Sequence, residues 1–157
     1  MTGHEGGDIP ARVSMLVLST GDMRGLRTFY RALGWSERPG SSDALSTFDL
    51  EHGLAIALHP QALRPEADED LSDLRDHDAA EAPSVGRDGI TAVIRVDARE
   101  FVDPAFEAAL SAGARSLIEP QDQPWGGRSA LFADPDGNQW ELLWFDRALT
   151  ERTSPRR

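Results

Sequence analysis

The chain has 157 residues, 39% of them apolar, with 14 Gly, 10 Pro and no Cys, which is the size of one ordinary domain that buries roughly 70% of its unfolded-chain surface. Acidic residues outnumber basic ones 27 to 16 for a net charge of −11, and every basic residue is Arg. A chain this acidic repels phosphate backbones, so no nucleic-acid partner is expected, and the absence of Cys and Lys excludes disulfides, thiolate nucleophiles, thiolate metal sites and Schiff-base chemistry.

The lack of Cys suits a reducing compartment, and a cytoplasmic location is expected. The longest apolar runs, such as 54–58, fall far short of the ~20 residues needed to span a bilayer, and the first residues lack the basic and apolar blocks of a signal peptide. No membrane partner is expected.

In chain order, 12–18 reads as a strand. Thr20-Gly21-Asp22 opens a helix with Met23, Leu26, Tyr30 and Leu33 at helical spacing, and Gly34 closes it as a left-handed cap. A short strand begins at 35–38 and a turn follows at 39–43. Strands at 44–50 and 54–59 then flank Glu51-His52-Gly53 as a hairpin. Residues 61–88 are rich in Asp and Glu and poor in apolar side chains, the pattern of a solvated connector. The triplet Asp76-His77-Asp78 within it offers metal-ligating groups, but adjacent residues in such a segment do not define a site.

The same order then recurs. A strand at 90–96 precedes a helix over 99–112, with Val102, Phe106, Ala109 and Leu110 on one face and Gly113 closing it; Pro104 is tolerated in the first turn. A strand at 115–118, a turn through 121–127, and strands at 128–133 and 139–145 complete the copy, the last two joined by Asp134-Pro135-Asp136-Gly137-Asn138. The chain therefore reads as two βαβββ modules in an α+β domain with eight strands and helices on the outer faces. The expected boundaries are a tail at 1–11, a domain at 12–146 and a tail at 147–157. Module one is 12–60, the connector 61–88 and module two 89–146.

Two segments, Phe29-Tyr-Arg-Ala-Leu-Gly-Trp35 and Phe132-Ala-Asp-Pro-Asp-Gly-Asn-Gln-Trp-Glu-Leu142, resemble the glyoxalase / bleomycin-resistance / extradiol-dioxygenase superfamily, also called vicinal oxygen chelate proteins, over about residues 12–146. The resemblance implies an eight-stranded, cup-shaped mixed sheet around a ligand cavity. It also implies, for enzymes of the family, a divalent metal held by a His or Gln on each module's first strand and a Glu or similar group on each module's last strand. Binding proteins of the family keep the cavity, lose the ligands and trap drugs between two protomers, so a homodimer is implied as well.

Carried onto this chain, the ligand positions of module one fall on Met15 and Ala57, and those of module two on Thr91 and Glu141. A thioether is a poor substitute for imidazole toward Fe, Mn, Ni or Zn, and a methyl group is none. A single carboxylate does not hold a catalytic divalent ion. No metal or other cofactor is therefore expected. His59 shares the sheet face of Ala57 by strand alternation and reaches toward the cavity rim. Glu141 admits three roles: contact with a ligand, acid–base catalysis if desolvation raises its pKa, or pairing with an Arg, for which Arg95 is the partner placed by alternation. Trp125, on the turn Pro124-Trp-Gly-Gly-Arg128, is placed to stack on a planar ligand, whereas Trp140 and Trp144 take the opposite strand face from Glu141 and pack toward a helix.

The leading expectation is a metal-independent small-molecule-binding protein that sequesters a drug or metabolite, with Met15, Ala57, His59, Thr91, Arg95, Trp125 and Glu141 as candidate ligand contacts. The alternative is a lyase, isomerase or dioxygenase that uses a divalent metal with displaced ligands or Glu141 as acid or base. A third reading makes the acidic connector an interaction segment.

Overall fold

The computed structural model describes residues 11–61 and 90–146; the acidic connector apart from Gln61, with its Asp76-His77-Asp78 triplet, and the expected tails apart from Ala11 lie outside them. The elements follow in the expected order: β1 (Met15–Thr20), α1 (Met23–Ala32), β2 (Ser36–Glu37), β3 (Ser46–Asp49), β4 (Ala55–Pro60), β5 (Thr91–Arg95), α2 (Val102–Ala112), β6 (Arg115–Asp122), β7 (Arg128–Ala133) and β8 (Gln139–Trp144). Asp22 caps α1 by accepting a hydrogen bond from the Gly25 N–H at 2.9 Å. Gly34 and Gly113 take left-handed conformations after the two helices, at φ of 84° and 115°, which satisfies terminal carbonyls that an L side chain would strain to reach.

The eight strands hydrogen-bond as two sheets of four, in the orders β1-β4-β3-β2 and β5-β8-β7-β6. In each, the first strand pairs in parallel with the last and the other pairs are antiparallel. The two registers are equivalent: Met15 stands opposite Ala55 and Val17 opposite Ala57, as Thr91 stands opposite Gln139 and Val93 opposite Glu141. The internal repeat visible in the sequence thus recurs in the register of the two parallel strand pairs.

β6 runs four residues past the expected end at 118, through Pro120 to Asp122. The proline is accommodated because β6 is an edge strand, which lacks a second neighbour, and the pairing with β7 shifts register around Ile118. The expected helix at 99–112 is regular only from Val102, preceded by a 3-10 turn at Arg99–Phe101.

Strand alternation sends one face of each sheet into a single core. Leu26, Phe29 and Tyr30 of α1 meet Phe48, Ile56 and Leu58 of the first sheet, Phe106 of α2, and Phe132, Trp140 and Leu142 of the second sheet. Neither module closes this core alone. Tyr30 is the pivot: its ring stacks on Trp35 at 5.2 Å between centroids and meets Trp140 edge-on at 5.9 Å. Its hydroxyl donates to Asp134 Oδ2 at 2.5 Å and accepts from Trp140 Nε1 at 3.1 Å. Burial, and then the Asp134 charge, push the Tyr30 phenol far above its ordinary pKa, so it stays protonated as a donor.

In module one, Glu37 gathers hydrogen bonds from Arg27, Arg31 and Ser46. Burial by itself raises the Glu37 pKa, but the bonds from Ser46, Arg27 and Arg31 outweigh it and hold the carboxyl below its ordinary range. A carboxyl depressed in the folded state stabilises above its unfolded pKa of about 4.3. That contribution is lost as pH falls through the lower folded value. Glu37→Gln is therefore expected to lower stability by about 2 kcal/mol at pH 7. The gap to the native chain should narrow below about pH 4. Urea unfolding of both chains across pH checks this, and a gap independent of pH would refute it. Among the described residues, no helix is long and apolar enough to cross a membrane.

Candidate functional site

The faces turned away from the shared core hold the candidate residues. On the second sheet, the pairings align Ile118, Leu131, Glu141 and Val93 across β6, β7, β8 and β5. The next row on the same face holds Gln121, Ser129, Leu143 and Arg95, and the row before it holds Gln139 and Thr91. A cavity of about 410 Å³ opens on this face, lined by Thr91, Ile118, Gln121, Gln123, Trp125, Ser129, Ala130, Leu131 and Glu141. Glu141 is partly buried and, among the described residues, has neither a hydrogen-bond nor an ion-pair partner. Thr91 Oγ1 donates to Gln139 Oε1 at 3.2 Å, and Gln123 Nε2 donates to Ser129 Oγ at 2.8 Å, which leaves the Gln123 side-chain Oε1 available.

Trp125 rides on the loop between β6 and β7, and the loop is tied at its base. Asp122 and Arg128 are cross-strand partners and form an ion pair at 3.1 Å. Arg128 also grips Asp103 of α2 through two bonds of 2.7 Å, and Asp122 pairs with Arg99 at 2.6 Å. Hydrogen bonds from Arg128 hold the Asp103 carboxyl below its ordinary range, and those from Arg99 and then Arg128 do the same for Asp122. Backbone bonds from Gln123 N to Gly127 O at 2.8 Å and from Gly126 N to Gln123 O at 2.9 Å close the loop. Trp125 stays 55% exposed, yet its ring folds back over Gly127: a Cβ built there would lie 1.9 Å from Trp125 Cζ3. The Gly126-Gly127 pair, read from sequence as a turn, is thus also the seat of the indole.

Of the residues named from sequence, Thr91, Trp125 and Glu141 meet in this cavity. Met15 is on the equivalent face of the first sheet but lines a different cavity, of about 320 Å³, which runs along β1 to Ser19 and reaches Asn138–Trp140. Ala57 is on that face too, buried beneath its neighbours. His59 is a half-buried residue at the end of β4, opposite Ser19. Pairing with Arg95, one of the three roles open to Glu141, does not occur. In the parallel register Arg95 stands opposite Leu143, one step beyond Glu141, and its guanidinium lies 4.2 Å over the Phe145 ring, a cation–π contact. Trp140 is buried in the core and Trp144 packs against it. Sequence reasoning missed Gln121, Gln123, Ser129, Ile118 and Leu131. Alternation along β7 carried a signal for Ser129 and Leu131; the irregular pairing of β6 hid the others.

Met15, Ala57, Thr91 and Glu141 supply a thioether, a methyl, a hydroxyl and one carboxylate. Among the described residues, no three or more His, Asp or Glu gather as a group able to hold a metal ion. The donors present do not fit a divalent cation, which calls for about three charged or imidazole ligands.

Comparison with known proteins agrees with the fold. A solved glyoxalase-related enzyme from Fulvimarina pelagi superposes with a TM-score of 0.66 at 23% identity, covering 86% of this chain and 88% of that one. A glyoxalase/bleomycin resistance protein/dioxygenase from Nocardioides superposes with a TM-score of 0.63 at 24% identity, covering 90% and 88%. An uncharacterized protein of Mycobacterium tuberculosis is 46% identical over 41 residues, a stretch that is 26% of this chain and 24% of the relative, so the match spans about a quarter of that curated relative. The sequence profile of one family matches residues 12–142, nearly all of both modules. The chain belongs to the Glyoxalase/Bleomycin resistance protein/Dioxygenase superfamily.

Proposed function

We propose that this chain is a metal-independent small-molecule-binding member of its superfamily that sequesters a drug or metabolite on the face of its second sheet turned away from the helices and the core. The observation that carries the reading is the cavity of about 410 Å³ that gathers Glu141, Trp125 and Thr91 with polar and apolar neighbours, the mixture typical of ligand sites. Trp125 offers a flat stacking surface, Ile118 and Leu131 offer apolar contact, and Thr91, Gln121 and Gln123 offer directional hydrogen bonds. A homodimer completes the site. Met15, Val17, Val93 and Ile118 are large apolar side chains exposed on the sheet faces turned away from the helices, and a second copy covers them.

A thermal-shift screen of drug and metabolite collections tests this. The expected result is a stabilising compound whose effect is lost in Trp125→Ala and reduced in Glu141→Gln. No stabilising compound, beside measurable turnover by the purified chain, would overturn it. That outcome favours the second reading, a lyase, isomerase or dioxygenase, which the partnerless Glu141 carboxylate supports as acid or base. Glu141→Gln would then abolish turnover with the melting temperature unchanged.

A further inference from the structure

We infer that the ligand of this cavity is a flat organic cation, an aromatic or heteroaromatic ring bearing an ammonium or amidinium group; the inference rests on the small-molecule reading above and names the ligand's charge and shape. Three observations converge. Among the described residues, Glu141 is the one acidic or basic side chain lining the cavity, and nothing pairs with it. Among the described residues, the cation on the same sheet face, Arg95, is turned onto Phe145 and does not line the cavity. Trp125 presents an indole to the same cavity, and the negative face of that ring attracts positive charge.

The surroundings act in the same direction. The chain carries a net charge of −11, which raises the local concentration of cations and repels anions before contact. Carboxylates, phosphates and phosphonates would enter the cavity against Glu141 with no compensating charge among the described residues that line it. A neutral ring would stack on Trp125 but leave the partly desolvated carboxylate without a donor, a penalty for groups removed from water unpaired. A cationic ring satisfies both. The group stacks on Trp125, its N–H donates to Glu141, and Gln121 and Gln123 lie beside it for any further polar substituent. Because Asp122–Arg128 ties the loop base, the indole is held in place before the ligand arrives, which limits the ordering cost of binding.

Three isosteric probes test the charge class: 2-naphthylmethylammonium, 2-naphthylmethanol and 2-naphthoate, titrated into the full chain while the indole N–H signals are followed by NMR, with Trp125 assigned through Trp125→Phe. The ammonium is expected to shift the Trp125 signal saturably and to bind about tenfold or more tighter than the alcohol. The carboxylate is expected to show no saturable shift. In Glu141→Gln, checked for unchanged melting, the gap between ammonium and alcohol closes to within about twofold. If the alcohol or carboxylate binds as well as the ammonium, or if Glu141→Gln keeps the cation preference, the charge assignment is wrong while the small-molecule site stands. If none of the three moves the Trp125 signal, the assignment of a flat ligand to this cavity falls with the site itself.

Discussion

Asp134→Ala is expected to destabilise the chain by about 3–5 kcal/mol, which for a domain of this size lowers the melting temperature by roughly 10 °C or more. The Asp134 carboxylate is 2% exposed and accepts four hydrogen bonds. Oδ1 takes the backbone N–H groups of Asp136 at 3.0 Å and Asn138 at 2.9 Å, and Oδ2 takes the Tyr30 hydroxyl at 2.5 Å and the Asn138 amide at 2.8 Å. Alanine leaves the buried Tyr30 hydroxyl and the half-buried Asp136 and Asn138 donors without this acceptor, and the penalty is largest at Tyr30, where it is the desolvation of the group rather than the small net worth of a hydrogen bond. The loss also crosses the molecule. Tyr30 belongs to α1 and Asp134 to the turn before β8, so the bond joins module one to module two. Tyr30→Phe should cost less, about 1–3 kcal/mol, because the ring keeps its packing while Asp134 and Trp140 each lose one partner. Denaturant unfolding of both variants and the double variant measures the coupling. Additive single effects would show that the Tyr30–Asp134 bond does not join the modules.

Gly127→Ala is expected to cost about 1–3 kcal/mol of stability and to weaken ligand binding about tenfold by displacing the aromatic wall. Gly127 is buried. A Cβ there would come within 1.9 Å of Trp125 Cζ3, 2.1 Å of Cη2 and 2.7 Å of the Trp144 carbonyl oxygen. The carbonyl is part of β8 and has no room to give, so the indole must leave. Its emission should shift to the red as it swings into water, measured against the same change in a Trp125→Phe background. Unchanged emission with unchanged affinity would mean that Gly127 is not the seat of Trp125. Trp125→Ala combined with Gly127→Ala should recover part of the stability lost in Gly127→Ala alone, because only the clash with the Trp144 carbonyl remains.

Much of the fold was readable in local pattern. Helical spacing of Met23, Leu26 and Tyr30, the cap at Asp22 and the closing glycines at 34 and 113 located both helices, because capping and amphipathic periodicity act over three or four residues. Alternation placed Trp140 in the core and Glu141 on the opposite face, since side chains of a strand change sides at every residue. The recurrence of strand, helix and three strands gave the two-module architecture. The end of β6 was not readable, because Pro120 breaks a pattern that an edge strand tolerates and an inner strand does not.

What the residues determined by themselves is the pair of βαβββ modules, their membership in one superfamily, and the poverty of metal donors at Met15, Ala57 and Thr91. Tertiary structure decided which side chains meet. The parallel register of β5 on β8 sent Arg95 to Phe145 and left Glu141 open, a choice that alternation alone does not make because it names a face and not a neighbour. The turn Asp134–Asn138 was legible as a turn, but its role in joining the modules depends on Tyr30, 104 residues earlier in the chain. Such contacts arise only when both modules close on one core, since neither buries its apolar face without the other.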